Sequence, residues 1–177
     1  MAISSKKQIC ALVGVGSGIG ISLARRFGIA GCDLALVARR AEVLAENIVR
    51  LQKDGISSLA FPVDVTEQDS LHLAFSAISE AMGPPTILIY NAAVVTRLLP
   101  SELKINTLTR DFATNVAGAL AAVHCVVPDM RAAGRGTILF SSAGVGLVPD
   151  TNWASYSATK AALRNLSFSI GDELKRD

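Results

Sequence analysis

A chain of 177 residues that is 50% apolar, 18% charged and 5% aromatic has the size and composition of one globular domain, which excludes a disordered segment. Its 17 basic and 15 acidic residues leave a net charge of +2 with no long run of either sign, so no general attraction to nucleic acid or anionic lipid is expected. Cys10, Cys32 and Cys125 are odd in number and lie in apolar stretches, the pattern of reduced core thiols in a cytoplasmic protein.

Lys6 and Lys7 precede a charge-free run from Gln8 to Ala24 that superficially looks like a signal peptide or short anchor. Gly14, Gly16, Gly18 and Gly20 interrupt that run, and Arg25 and Arg26 close it before the roughly 20 apolar residues a membrane span needs. Residues 9–15 instead read as a strand buried on both faces, and Ile19, Leu23, Phe27 and Ala30 then recur at helical spacing up to Gly31. The pattern repeats along the chain: a strand over 33–38, a helix over 41–53, a strand over 58–63, and a helix over 67–82 closed by Gly83-Pro84-Pro85. A strand over 86–90, a long helix over 106–133, a strand over 136–141 and a final helix over 154–175 complete it. Strands alternating with helices of this length predict right-handed crossovers and an α/β, Rossmann-type doubly wound parallel sheet of five strands, in a single domain spanning residues 1–177.

The segment Val13-Gly14-Val15-Gly16-Ser17-Gly18-Ile19-Gly20 sits where the first strand hands over to the first helix. There Gly14 would permit a tight turn, Gly18 would let backbone approach a pyrophosphate, and Gly20 would let the helix pack on the strand, with free helix amides facing the phosphates. The second strand ends in Arg39-Arg40 and lacks the acid that NAD-binding versions place there for the ribose hydroxyls. Arginine can grip a 2′-phosphate with paired donors, which predicts a preference for NADP(H) over NAD(H); the competing reading is two solvated arginines at a helix start.

Several spaced motifs, from about Gln8 onward, resemble those of the short-chain dehydrogenase/reductase family. The glycine segment is similar to its threonine-glycine-x-x-x-glycine-x-glycine, Asp64-Val65 resembles the acid that reaches the adenine, and Asn91-Ala92-Ala93 resembles asparagine-alanine-glycine. Asn115-Val116-Ala117-Gly118 resembles the asparagine motif of the long helix, and Tyr156-Ser157-Ala158-Thr159-Lys160 matches tyrosine-x-x-x-lysine. Departures are Val13 for the usual threonine, Ala93 for a glycine, and a Ser142 that lies 14 residues before Tyr156, one more than the commonest spacing. Ser141 is therefore a minor contender for the serine role.

The resemblance implies a hydride-transfer enzyme acting on a small carbonyl compound or secondary alcohol. Reducing a carbonyl also needs a proton at oxygen, for which Tyr156 is the candidate donor. A phenol normally titrates near 10, and Lys160, one helical turn on, would lower that value. By resemblance Lys160 would also hold the nicotinamide ribose, Ser142 would bind the substrate oxygen, and Asn115 would keep a water in a proton relay. His72 and His124 lie on separate helices, so no metal site is expected. Trp153 either lines a substrate pocket, with Leu147 and Val148, or packs at the helix start.

Family members usually add two further strands and a substrate-covering segment after the helix carrying Tyr156. Without them the 137–140 strand would be an unprotected sheet edge. Three readings are open: a fragment of a reductase, a shortened and catalytically weak NADP(H)-binding protein, or a subunit that associates with a relative. The last two helices are the expected surface for homo-oligomers.

Overall fold

In the computed structural model, which describes residues 7–175, five short apolar segments lie side by side and run the same way. They are β1 (Ile9–Val13), β2 (Asp33–Ala38), β3 (Ser58–Pro62), β4 (Ile87–Tyr90) and β5 (Thr137–Phe140), in the spatial order β3-β2-β1-β4-β5. Central β1 pairs on both sides, so Val13 stands opposite Val37 in β2 and Tyr90 in β4. The helices are α1 (Ile19–Ile29), α2 (Ala41–Lys53), α3 (Gln68–Met82), α4 (Ile105–Phe112) and α5 (Gly118–Ala132), which cross between strands, and α6 (Ala154–Leu174), which follows β5. This is the five-stranded Rossmann-type sheet that the alternation of elements predicts. Lys6, at the head of the charge-free run, lies outside the described residues.

Because successive strand residues point to opposite faces, the two sides of the sheet feed two cores. Ala11, Val13, Val37, Leu88 and Tyr90 pack with Leu71, Phe75 and Ile78 of α3, with Ala122 and Val126 of α5, and with Leu163 of α6. On the other face Cys10, Leu12, Leu34, Leu36 and Ile89 pack with Ala24 of α1 and with Leu44 and Leu51 of α2. The charge-free run is thus a buried strand, a turn and the opening of a helix.

The structure departs from the sequence reading in the long helix. A single helix over 106–133 is expected, but α4 and α5 are joined by one π-helical turn, Ala113–Ala117. The widened turn coincides with Asn115, whose amide is directed inward to Val94 and Thr159, and apolar periodicity does not register such a one-residue insertion. By length and composition alone Ile105–Ala132 could cross a bilayer. Here it is a core helix: Ala119, Ala122, Val123 and Val126 are buried among the sheet and its neighbours, and Asp111 and Asn115 are fully enclosed.

Among the described residues β5 pairs only with β4 and forms one edge of the sheet, where Leu139 is 41% exposed. The chain runs outward from β1 to β2 and β3, then returns to β4 on the other side of β1. Such a reversal opens a crevice beyond the carboxyl ends of β1 and β4, which is where ligands bind open sheets of this kind.

Candidate active site

At the end of β1 the chain turns sharply on Gly14, whose φ of 92° is accessible to glycine and to few other residues. The Gly14 N–H donates to the Val37 carbonyl at 2.8 Å, pinning the turn to β2. A Cβ on Gly20 would stand 2.7 Å from the Gly14 carbonyl oxygen and 2.9 Å from Val15 Cα, so α1 can begin this close to β1 only with glycine there. Gly16 and Gly18 face open space. Gly18 precedes α1 without any side-chain cap, which leaves the first-turn amides of the helix available to an anion.

Asn91 braces the floor. Its Nδ2 donates to the Gly14 carbonyl at 2.8 Å, and its Oδ1 accepts from the Ser141 hydroxyl at 2.8 Å, tying the ends of β1, β4 and β5 together. These bonds join residues that are 77 and 50 positions apart in the chain. Ser141 is thereby committed to Asn91, whereas the neighbouring Ser142 is exposed and lines the cleft.

The resulting cleft, of about 420 Å³, is lined by Gly14, Gly16, Gly18, Ile19 and Gly20 at one wall, and by Arg39, Arg40, Asp64 and Val65 at another. Asn91, Ala92, Ala93, Ser141, Ser142, Tyr156 and Lys160 line it as well. Two predicted site residues stand apart. Ser17 is exposed at the crest of the glycine turn and does not line the cleft, and Asn115 is buried behind it. Val15, Ala38, Val43, Val63, Val94, Val95 and Thr114 also line it, although sequence reasoning did not select them. Extending each motif by one or two residues past its strand end would have found most of these; Thr114 carries no signal beyond adjacency to Asn115.

Arg39 reaches toward Asp64, with Nη1 3.6 Å from Oδ2. Burial alone would raise the Asp64 pKa, but hydrogen bonds from the Thr66 N–H and hydroxyl, and the Arg39 charge, hold it below the usual carboxylate range. Arg39 is itself 70% exposed and keeps most of its donors toward solvent. Arg40 is exposed where α2 begins.

Tyr156 and Lys160 lie one turn apart on α6, as their spacing requires. Lys160 is only 2% exposed, and its Nζ donates to the Ser141 carbonyl at 2.7 Å and sits 5.6 Å from the centre of the Tyr156 ring. The expected lowering of the phenol pKa does not appear in this arrangement. Burial raises Tyr156 above its ordinary value and lowers Lys160 below its own, because desolvation penalises the charged form of each group. Gly146 makes the packing possible: a Cβ there would come within 3.0 Å of the Lys160 backbone. Trp153 caps the approach to the tyrosine helix, edge-on to Tyr156 at 6.4 Å between ring centres, with the Arg97 guanidinium 5.7 Å above its own ring.

The Asn115 amide is saturated. Its Oδ1 accepts from the Val94 N–H at 2.7 Å, and its Nδ2 donates to the Val94 carbonyl at 2.9 Å and to the Thr159 hydroxyl at 2.9 Å. Asn115→Ala would strand the Val94 groups in a buried position and is expected to destabilise the protein by about 2–4 kcal/mol in urea unfolding.

A family model for short chain dehydrogenases matches residues 8–177. The sequence is 30% identical over 172 residues to a fatty acyl-CoA reductase of Acinetobacter baylyi, covering 96% of this chain and 58% of that protein. It is 31% identical over 173 residues to a 3-oxoacyl-[acyl-carrier-protein] reductase of Rattus norvegicus, covering 96% of this chain and 70% of that one. The fold superposes on a variant of actinorhodin polyketide ketoreductase with NADPH at a TM-score of 0.93 and 26% identity, covering 96% of this chain and 66% of that one. A metagenomic short-chain oxidoreductase in complex with NADP gives 0.91 and 27%, covering 98% and 79%. The chain therefore spans about three-fifths to four-fifths of the length of these relatives. With the sheet order, the glycine turn and the tyrosine-lysine helix in one cleft, and a family match over nearly every residue, this chain belongs to the short chain dehydrogenase family.

Proposed function

We propose that the protein is an NADP(H)-dependent oxidoreductase, with Tyr156 as the acid and base that exchanges a proton with a carbonyl or secondary alcohol substrate. The observation that carries this reading is the convergence, in one cleft at the sheet reversal, of an uncapped helix start, the exposed Arg39 and Arg40, and the Ser142, Tyr156 and Lys160 side chains. The cleft residues fit a dinucleotide. Gly16 and Gly18 leave room for a pyrophosphate against the α1 amides, Asp64 and Val65 flank the adenine end, Arg39 and Arg40 offer donors to a 2′-phosphate, and Ala92 and Ala93 form the floor. Similar folds have been solved with NADPH and with NADP.

The bound dinucleotide would supply or accept the hydride. Ser142 would hold the substrate oxygen, and Tyr156 would deliver the proton that oxygen needs. A phenol raised by burial stays protonated at neutral pH, which suits a proton donor in the reductive direction. Lys160 would grip the ribose and, as a cation beside the ring, stabilise the phenolate left behind. With its amide committed to Val94 and Thr159, Asn115 would hold the π-helical turn in place and would support a water in the proton relay through its main chain rather than its amide. The same proposal has copies of the chain associating through α5 and α6 in a reducing cytoplasm. Burial pushes Cys10 up to about 12 and Cys125 up to about 11, so neither thiol is readily ionised there.

The cofactor assignment is tested by comparing Michaelis constants during NADPH or NADH oxidation against a panel of carbonyl compounds. Losing a charge-assisted phosphate contact, Arg39→Ala should raise the value for NADPH about 10- to 100-fold while leaving that for NADH within about twofold. A preference for NADH that Arg39→Ala does not alter would overturn it.

A further inference from the structure

Among the described residues one buried charge lies outside the cleft. Asp111, in the last turn of α4, is fully enclosed, and its Oδ2 accepts from the Ser155 hydroxyl at 2.7 Å. Its Oδ1 accepts two bonds from the Arg110 guanidinium, from Nε at 3.3 Å and Nη2 at 3.0 Å. Arg110 Nη2 also donates to the Thr96 hydroxyl at 3.4 Å, in the segment that leads from β4 to α4. Burying a carboxylate is costly unless it is paired and hydrogen-bonded, and this one is both.

What Asp111 holds is the residue before Tyr156. Ser155 is buried in the first turn of α6, a helix that starts at Trp153 with no side-chain cap. A carboxylate beside that uncapped start also meets the positive end of the helix. One helical step later the contact recurs, because the Asn115 amide donates to Thr159 at 2.9 Å. Both contacts join residues 44 positions apart, so two buried rungs bracket Tyr156, one at the residue before it and one three residues after.

We infer that Asp111 is a positioning residue for Tyr156, fixing the rotation of the first turn of α6 so that the phenol faces the cleft. A helix clamped by one rung can roll about it, whereas two rungs one turn apart fix both azimuth and register. The Arg110 and Thr96 contacts extend the clamp to the β4–α4 segment, where Val94 and Val95 line the same cleft. This rests on the reading of Tyr156 as the proton carrier.

Trp153 supplies an independent readout, being the single tryptophan of the chain and packed edge-on to Tyr156 where α6 begins. Asp111→Asn and Ser155→Ala would be compared with wild type and with Tyr156→Phe. The measurements are acrylamide quenching of Trp153, NADPH affinity by fluorescence titration, and kcat for NADPH oxidation with benzil as carbonyl probe. Asp111→Asn and Ser155→Ala should each raise the quenching constant at least about twofold and lower kcat at least about tenfold, with NADPH affinity within about twofold. Unchanged quenching, or a kcat within about twofold of wild type, would overturn the inference. Should Asp111→Asn not fold, Ser155→Ala decides the matter, because it leaves the Arg110 contacts of Asp111 in place. Should benzil not be turned over, Trp153 quenching decides it. Full turnover by Tyr156→Phe would sink the proton assignment alone, and quenching in the other two variants would still report whether Asp111 holds the turn.

Discussion

Tyr156→Phe is expected to lower carbonyl reduction by about 10²- to 10⁴-fold, the range over which a positioned general acid contributes. The substitution is narrow. Phenylalanine keeps the ring that stands 6.4 Å from Trp153 and 5.6 Å from Lys160 Nζ, and it removes one oxygen. Stability should therefore stay within about 0.5 kcal/mol of wild type, and NADPH affinity should change by less than about twofold. Loss confined to kcat identifies an interaction made in the transition state; loss confined to KM would mean that Tyr156 only binds substrate. Single-turnover measurement of NADPH oxidation with the most reactive compound of the carbonyl panel makes the distinction. Turnover near the wild-type rate would mean that the proton comes from another group, for which Ser142 and Lys160 also line the cleft.

The parts of this fold that repeat locally were legible in the sequence. Each strand is a short apolar run next to a turn signal, and alternation with helices makes the sheet parallel, so five parallel strands could be read without any contact information, though not that β4 lies beside β1. The glycine turn was legible from its place between strand and helix, and Gly20 answers a constraint set within ten residues by Gly14 and Val15, whereas the main-chain atoms that exclude a side chain at Gly14 belong to Asn91 and Ala92 of the distant β4 end. What could not be read depends on distant partners. Asn91 is a motif residue in the chain, but its use as a brace between Gly14 and Ser141 exists only once β1, β4 and β5 are adjacent. The π-helical turn was hidden because one extra residue leaves the apolar pattern almost intact, and Asp111 was hidden because a charged residue in a helix normally faces water. The direction of the Tyr156 pKa is likewise not legible, because spacing places Lys160 nearby but does not report how far the phenol is buried, and burial is what raises it.

Gly14→Ala should damage the protein far more than Gly16→Ala, although both glycines belong to one turn and both line the cleft. At Gly14 the backbone has a φ of 92°, and an added Cβ would overlap Ala92 N and stand 2.5 Å from Ala92 Cα and 2.7 Å from the Asn91 carbonyl carbon. Those atoms are main chain at the end of β4 and cannot swing aside. Either the turn leaves β4, breaking the 2.8 Å bond from Asn91, or the strand itself moves. Strained backbone and a forced shift together predict a loss of about 3 kcal/mol or more in thermal or urea unfolding. At Gly16 an added Cβ meets nothing within 4 Å, so stability should change by no more than about 0.5 kcal/mol. At Gly18 too an added Cβ meets nothing within 4 Å, but there, at the start of α1, a pyrophosphate would approach the helix amides, so Gly18→Ala should weaken NADPH at least about tenfold in a fluorescence titration. Wild-type NADPH affinity in a folded Gly18→Ala protein would remove the pyrophosphate from this turn, because a methyl group and a close-lying phosphate cannot share that space.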